Sequence, residues 1–202
     1  MTIRSVFIDF GGVTVRTEDK EPRRRQAEKL GMTSRDLEKI IFESVSSQRA
    51  STGEITENDH WQAVAEALGV SRREVDKIAD EFFSGDRVDF LLLNFLRNLR
   101  PEHEVCLISN AWSGLRSFIT RHKFDDVFDE MVISAEVGLT KPDPRIYHLA
   151  LARLGARPEE SVFIDDVRGN VEAARSVGMI GIEFTQPEKV IEEVRQLLSN
   201  HR

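Results

Sequence analysis

Residues 6–15 read VFIDFGGVTV, and this stretch decides the fold class. An apolar run leads into an aspartate, Asp9, and two glycines, Gly11 and Gly12, follow it closely. Runs of Val, Ile and Phe are typical of a strand that is buried on both faces. A carboxylate, by contrast, is rarely buried unless it has a partner. The stretch therefore predicts a buried strand that delivers a carboxylate to the edge of a sheet.

Further apolar runs along the chain predict more strands. They are EVCLIS at 104–109, EMVIS at 130–134, SVFID at 161–165 and MIGIEF at 179–184. Helix signals lie between them, because Asp143 followed by Pro144 is a typical helix start, and Gly155 and Gly178 are expected to end helices. The alternation from residue 86 onward predicts an α/β fold with a doubly wound, Rossmann-like parallel sheet.

Residues 17–85 interrupt this alternation. Apolar residues recur there at helical spacing in three sets: Leu37, Ile40, Ile41 and Val45; Trp61, Val64, Ala65 and Leu68; Val75, Ile78, Ala79 and Phe82. Ser71 and Glu74 have the spacing of a capping box. We therefore predict a helical cap at 17–85, inserted into an α/β core that is made of residues 1–16 and 86–202.

The composition limits the classes of function. The formal net charge of −7 gives no electrostatic support to nucleic-acid binding. The only cysteine, Cys106, lies in an apolar run, so we expect a buried small hydrophobe rather than a nucleophile. The apolar runs are too short to span a bilayer, and the N-terminal segment lacks the pattern of a secretory signal. We expect a cytoplasmic protein without nucleic-acid or membrane partners, and no pattern indicates its oligomeric state.

Polar side chains stand where the predicted strands end. These residues are Asp9, then Ser109 and Asn110, then Asp165 and Asp166. Ligands of open α/β sheets bind beyond the carboxyl ends of the strands, so we expect these residues to converge. Lys141 lies in a further polar segment, GLTKPDP at 138–144, where Pro142 favours an extended backbone at the lysine.

This order of motifs resembles that of the haloacid dehalogenase-like hydrolase superfamily, over residues 6 to about 185. Its four motifs correspond to Asp9, Ser109 with Asn110, Lys141, and Asp165 with Asp166. The stretches LISNAW, VGLTKPDPRIY and FIDDVRGNVEAARSVGM are similar to the phosphatase-like N-terminal domain of soluble epoxide hydrolases and to bacterial sugar-phosphate phosphatases. The segment 17–85 lies where this group carries its helical (C1) cap.

The resemblance implies a Mg²⁺-dependent phosphatase with Asp9 as the nucleophile. The carboxylate would attack phosphorus and form an aspartyl-phosphate, which water then hydrolyses. Asp9, Asp166 and the main-chain carbonyl of Gly11 would hold Mg²⁺, a hard cation that takes oxygen ligands. Asp165 would bind the ion through water or orient the other ligands.

The resemblance also implies how the substrate, a small phosphorylated metabolite, would be held. The Ser109 hydroxyl and nearby N–H groups, including that of Asn110, would bind phosphate oxygens. Lys141 would balance the charge of the nucleophile and of the transition state.

Gly11 departs from the pattern of the family. Most phosphatases of the superfamily have a second aspartate two positions after the nucleophile, which acts as general acid and base. General acid–base catalysis is worth roughly 10²–10⁴-fold in rate, so we expect weak turnover or a restriction to good leaving groups. A second hypothesis is that Gly11 adopts backbone angles that an aspartate would resist.

Two alternatives stay open. A 2-haloacid dehalogenase-like hydrolase also lacks the second aspartate and needs no metal. Adjacent acids at Asp165 and Asp166, facing Asp9, would repel it without a cation, and this favours a metal site. A non-catalytic protein that binds a phosphorylated ligand or a partner is the other alternative, and the glycine at position 11 sustains it.

Overall fold

The computed structural model describes residues 2–199 of the chain, and a parallel sheet forms its centre. The strands in this range are β1 (Ser5–Ile8), β2 (Val15–Thr17), β3 (Asp86–Val88), β4 (Glu104–Ser109), β5 (Glu130–Ile133), β6 (Ser161–Asp165) and β7 (Ile180–Glu183). The sheet has the order β5-β4-β1-β6-β7, and its neighbouring strands are all parallel. The predicted fold class is confirmed, and the predicted runs at 104–109 and 161–165 coincide with β4 and β6.

β1 lies at the centre of the sheet, between β4 and β6. All four of its residues are buried, and Phe7 is in register with Cys106 on one side and with Phe163 on the other. Because the strands are parallel, the carboxyl ends of β1, β4 and β6 meet at one edge. Asp9 follows β1 directly at that edge.

Helices cover both faces of the sheet and fill the segment between β2 and β3. They are α1 (Glu21–Lys29), α2 (Ser34–Glu38), α3 (Val45–Ser51), α4 (Glu57–Leu68), α5 (Arg72–Phe83), α6 (Phe90–Leu99), α7 (Leu115–Arg121), α8 (Ser134–Val137), α9 (Pro144–Leu154), α10 (Arg168–Ser176) and α11 (Pro187–Ser199). The side chain of Asp143 caps α9, as predicted, and Gly155 ends it in the left-handed conformation. Among the described residues, no helix is both long enough and apolar enough to cross a bilayer.

The sheet separates two hydrophobic clusters. Val6 and Ile8 of β1 face a cluster that includes residues of α6, α7 and α11. Phe7 points the other way and packs in a cluster with α9, α10 and the ring of Phe163. Burying one such side chain contributes roughly 1.5–3 kcal/mol. The alternation of β1 side chains between two apolar layers therefore fixes the strand, and with it the position of Asp9.

The helices α1–α5, which we call the inserted helices, have a hydrophobic cluster of their own. It contains residues of all three predicted sets, among them Leu37, Trp61 and Phe82, and the predicted capping box at the start of α5 is confirmed. The prediction for Val45 was wrong, because this side chain is 71% exposed. Ser44 has an extended backbone and caps α3, so the helical periodicity stops before Val45.

A two-stranded ribbon joins the inserted helices to the sheet, and the sequence did not predict it. β2 and β3 pair antiparallel, with Val15 opposite Val88 and Thr17 opposite Asp86. The Thr17 hydroxyl donates a hydrogen bond of 2.7 Å to Asp86 Oδ1. The predicted domain boundaries at 16/17 and 85/86 fall in or beside this ribbon and stay a prediction. Residues 1 and 200–202 of the predicted core lie outside the described residues.

Candidate active site

Lys141 lies between two buried carboxylates at the carboxyl edge of the sheet. Its Nζ is 2.7 Å from Asp9 Oδ1 and 2.6 Å from Asp165 Oδ2. The exposed fraction is 4% for Lys141, 7% for Asp9 and 0% for Asp165. Buried charges are stable only when they are paired, so the ammonium group offsets part of the cost of burying the two acids. The ends of β1 and β6 and the loop between α8 and α9 thus meet at one point.

A third carboxylate completes an acidic cluster, which we define as Asp9, Asp165 and Asp166. Carboxylate oxygens of these residues all lie within 4.8 Å of one another. Asp166 is exposed, whereas the other two are buried. Three carboxylates facing one lysine leave an excess of negative charge, and hard oxygen donors are the ligands that Mg²⁺ prefers. The donor set of the acidic cluster therefore fits a divalent cation of this kind.

Gly12 makes room for the carboxylate of Asp166. A Cβ atom added at Gly12 would lie 2.2 Å from Asp166 Oδ2, and the φ angle of Gly12 is +78°. A Cβ atom added at Gly11 would meet no heavy atom of residues 2–199 within 4 Å, and only Gly12 of the pair has a positive φ. The hypothesis that the backbone angles of Gly11 exclude an aspartate was therefore wrong. The position that requires a glycine is Gly12.

The electrostatics of the acidic cluster favour the addition of positive charge. Burial raises the pKa of Asp9 to about 6, the charge of Lys141 opposes this shift, and the charge of Asp165 adds to it. Burial also raises the pKa of Asp166, again with a contribution from the charge of Asp165. A bound cation stabilises the ionised form of a carboxylate, so it would oppose both shifts.

Asp165 is held by donors from the beginning of α10. Its Oδ1 accepts hydrogen bonds from the main-chain N–H of Val167 at 2.8 Å and from Asn170 Nδ2 at 3.0 Å. The Tyr147 hydroxyl donates to the carbonyl of Asn170 at 2.9 Å. The sequence-based prediction did not include Asn170. The available signal was its place in the first turn of the helix that follows the acidic pair, from which a side chain can reach back to the strand end.

The loop after β4 brings the remaining predicted residues to the same edge. Ser109 is the last residue of β4 and is 2% exposed. The side-chain amide of Asn110 binds the main chain of Lys141, with Nδ2 donating to the carbonyl and Oδ1 accepting from the N–H, both at 2.8 Å. The structure thus brings the predicted site residues together, and their individual roles stay predictions.

The far end of this loop contacts the inserted helices. Trp112 Nε1 donates to Ser47 Oγ at 3.3 Å, and the ring centroid of Trp112 lies 4.4 Å from that of His60. The main-chain N–H of Glu57 donates to Ser113 Oγ at 3.2 Å. A Cβ atom added at Gly114 would lie 2.0 Å from Glu57 Oε2, so the two surfaces are in close contact. One short loop therefore joins the phosphate-binding residues predicted at 109–110 to the inserted helices.

Cys106 and His60 are buried titratable groups that lie outside the acidic cluster. Cys106, in β4, is fully buried, and burial raises the pKa of its thiol well above the usual range. The expectation that Cys106 is a buried hydrophobe is confirmed. His60, in α4, is also fully buried; burial lowers its pKa, and its Nδ1 lies 2.9 Å from Ser46 Oγ.

Comparison with known proteins gives the family and its relatives. A model of the haloacid dehalogenase-like hydrolase family matches residues 3–178. Bifunctional epoxide hydrolase 2 of Sus scrofa is 27% identical over 217 residues, which cover 98% of this chain but 39% of that protein. D-ribitol-5-phosphate phosphatase of Bacteroides thetaiotaomicron is 26% identical over 196 residues, or 92% of each chain. Sesquiterpene phosphatase astK of Aspergillus oryzae is 25% identical over 199 residues, which cover 98% of this chain and 97% of that one.

Solved structures share the fold. A crystal structure of a HAD family enzyme of Bacteroides thetaiotaomicron has a TM-score of 0.77 at 23% identity, covering 92% of this chain and 95% of that one. The same enzyme in complex with magnesium and inorganic phosphate has a TM-score of 0.76 at 24% identity, covering 91% and 94%. A dehalogenase structure has a TM-score of 0.69 at 19% identity, covering 98% and 97%. At these identities, the structural similarity shows a common fold and does not separate the two chemistries.

Alanine substitutions at the two glycines are expected to have different effects. We expect Gly12→Ala to displace the Asp166 carboxylate and to lose about 1–2 kcal/mol of unfolding free energy through its positive φ alone. Gly11→Ala serves as the matched control, because its Cβ enters open space. Urea unfolding in chelator measures the loss of stability, and the rise of Tm on adding Mg²⁺ measures the displacement of the Asp166 carboxylate. The rise should shrink in Gly12→Ala only, and equal changes in the two variants would contradict this assignment.

The raised pKa of Asp9 predicts a pH-dependent stability in the absence of divalent cations. The folded protein keeps a proton on Asp9 up to pH values near 6, whereas the unfolded chain loses it near the ordinary value of 3.8. The unfolding free energy therefore falls as the pH rises through this window, by about 3 kcal/mol for this group.

Asp9→Asn removes the titrating group and is expected to remove this part of the pH dependence. Unfolding in chelator at about pH 4.5 and about pH 7.5 should show the variant gaining stability over the wild type as the pH rises. If the stability difference between the two proteins is the same at both pH values, burial does not raise the pKa of Asp9.

Proposed function

The chain belongs to the haloacid dehalogenase-like hydrolase family, and we propose that this hydrolase is a Mg²⁺-dependent phosphatase of a small phosphorylated metabolite. The observation that carries the proposal is the acidic cluster with Lys141 between Asp9 and Asp165, at the edge of the sheet where β1, β4 and β6 end. The similarity to D-ribitol-5-phosphate phosphatase and sesquiterpene phosphatase astK adds support for phosphate esters as the substrate class. These two relatives act on different esters by name, so the proposal covers the phosphoryl group rather than the rest of the substrate.

The acidic cluster supports the choice of metal. Asp9, Asp166 and the main-chain carbonyl of Gly11 would hold Mg²⁺, and Asp165 would orient the site through its bonds to Lys141 and Asn170. When bound, the ion supplies the positive charge that lets an anionic ester approach two carboxylates. The open side of the cluster is at Asp166, which is the exposed member.

Asp9 is the proposed nucleophile. One oxygen of its carboxylate forms the bond to phosphorus while the bond to the ester oxygen breaks, and the leaving group departs with the electron pair. Water then cleaves the aspartyl-phosphate and restores the carboxylate. The Lys141 ammonium group, 2.7 Å from Asp9 Oδ1, keeps this carboxylate ionised and positioned. The Ser109 hydroxyl and the main-chain N–H of Asn110 would bind oxygens of the phosphoryl group.

The absence of a general acid at position 11 limits the leaving group. Gly11 has no side chain that could protonate the departing oxygen, so esters whose leaving group is already a stable anion are favoured. Acyl phosphates and anomeric sugar phosphates belong to this class. Two alternative functions need no general acid at position 11 and are also compatible with this glycine. They are a dehalogenase-like hydrolase and a protein that binds a phosphorylated ligand without turnover.

A substrate panel tests the proposal. We expect phosphate release from phosphomonoesters and acyl phosphates in the presence of Mg²⁺, faster for the acyl phosphates, and its loss in chelator and in Asp9→Asn. Asp126→Asn is a matched control, because Asp126 is exposed and pairs with Arg97 on the surface. Turnover that survives chelation, together with halide release from 2-haloacids, would establish the dehalogenase-like alternative. A folded protein that binds phosphate but turns over no substrate would establish the binding protein.

Gly11→Asp tests the missing acid directly. The open space beyond Gly11 accommodates a larger side chain, so we expect turnover of esters with poor leaving groups to rise by on the order of 10-fold or more. Gly11→Asn is the matched control, since it has the same size but no carboxyl proton to donate. The rise should be confined to the aspartate variant and to poor leaving groups. A similar fall in both variants would show that the site depends on the small residue rather than lacking an acid.

A further inference from the structure

The position of Lys141 poses a structural problem. Its ammonium group must contact Asp9 and Asp165 at the same time, at 2.7 and 2.6 Å. Yet the residue lies in the loop between α8 and α9 rather than in a helix or strand. A long, flexible side chain extending from a mobile backbone would lose conformational entropy each time it made both contacts. Something must therefore fix the main chain of Lys141 relative to the sheet.

The side chain of Asn110 performs this task in the structure. Its Nδ2 donates to the Lys141 carbonyl and its Oδ1 accepts from the Lys141 N–H, both at 2.8 Å. A single planar amide thus binds the two main-chain polar groups of one residue, much as a neighbouring strand does in a β-ladder. Because the amide is planar, the pair of hydrogen bonds sets the orientation of the Lys141 backbone as well as its distance.

The end of β4 anchors this contact. Asn110 directly follows β4, which is buried in the sheet beside β1, whereas Lys141 is 31 residues further along the chain. The next residue of the loop, Ala111, is fixed separately, since its N–H donates to Ser134 Oγ at 2.9 Å and its carbonyl accepts from the same hydroxyl at 3.2 Å. The sheet therefore positions Lys141 through one side chain.

We propose that Asn110 is a positioning residue: its side-chain amide places Lys141 so that the ammonium group meets Asp9 and Asp165. The proposal rests on the proposed phosphatase function only for its kinetic readout. It concerns the side chain of Asn110, whereas the phosphate contact expected at this position involves the main-chain N–H, which any substitution there except proline retains.

The cost of losing the contact follows from its geometry. Asn110→Ala removes two hydrogen bonds from buried main-chain groups and releases the Lys141 backbone. A misplacement of about 1 Å at a catalytic group can lower a rate by about 10²-fold. We therefore expect kcat to fall by about 10–10²-fold. The Ser109 hydroxyl and the main-chain N–H at position 110 stay in place, so KM should change by less than about threefold.

The first test needs no activity. Hydrogen exchange of the Lys141 amide, followed by NMR in chelator, should become at least about 10-fold faster in Asn110→Ala, because its acceptor is gone. Ser134→Ala is the matched control: it also removes two hydrogen bonds between a side chain and main-chain groups near the site, but these join the Ser134 hydroxyl to Ala111 rather than to Lys141. Exchange at Lys141 should be unchanged in Ser134→Ala. Unchanged exchange in Asn110→Ala would overturn the proposal.

The second test measures kcat and KM for phosphate release in the same variants. A loss confined mainly to kcat in Asn110→Ala, with a smaller loss in Ser134→Ala at similar stability, supports the proposal. A loss mainly in KM would overturn it, because the side chain would then be a substrate ligand. If Asn110→Ala does not fold, Asn110→Asp replaces it; this variant keeps the oxygen that accepts from Lys141 but sets a second oxygen against the Lys141 carbonyl, so kcat should fall there too. A wild type without turnover would refute the phosphatase, and the exchange measurement would still decide the role of Asn110.

Discussion

The ammonium group of Lys141, placed between the carboxylates of Asp9 and Asp165, is the interaction on which the site depends. Parallel strands bring their carboxyl ends to one edge, and in this chain two of the ends carry acids that are almost completely buried. Without a positive charge between them, the two acids could not both be ionised there, and the end of β1 could not present the proposed nucleophile. The apolar layers on the two faces of the sheet fix where the acids lie, and the charge of Lys141 offsets part of the free-energy cost of burying them.

The sequence was sufficient for the sheet and for the residues that meet at its edge. Apolar runs of Val, Ile and Phe have few alternatives to buried strands, and the polar residues that end them must converge once the strands are parallel. The sequence was not sufficient for the ribbon of β2 and β3, whose three-residue strands are too short to show a pattern. It also misplaced Val45, since a single capping serine, Ser44, shifts the helix that follows.

Contacts between distant segments were the other limit on prediction from sequence. The amide of Asn110 binds the main chain of Lys141, 31 residues further along the chain, through side-chain contacts that no spacing rule specifies in advance. The two adjacent glycines show the same limit. The sequence does not distinguish the two positions, and the hypothesis made from it assigned the need for glycine backbone angles to Gly11. In the structure it is Gly12 that must be a glycine, because Asp166, which is 154 residues further along the chain, occupies the space beside it.

The contact between Trp112 and the inserted helices bears on how such domains can be exchanged between relatives. The covalent junctions of the insert are the two strands of the ribbon, which suggests a module that could be cut and transplanted there. Trp112 and Ser113, however, belong to the sheet domain by sequence and to the surface of α3 and α4 by contact. A graft made at the ribbon alone would leave the indole against a foreign surface. A graft that keeps these contacts would have to be discontinuous, taking the insert together with the tip of the loop after β4.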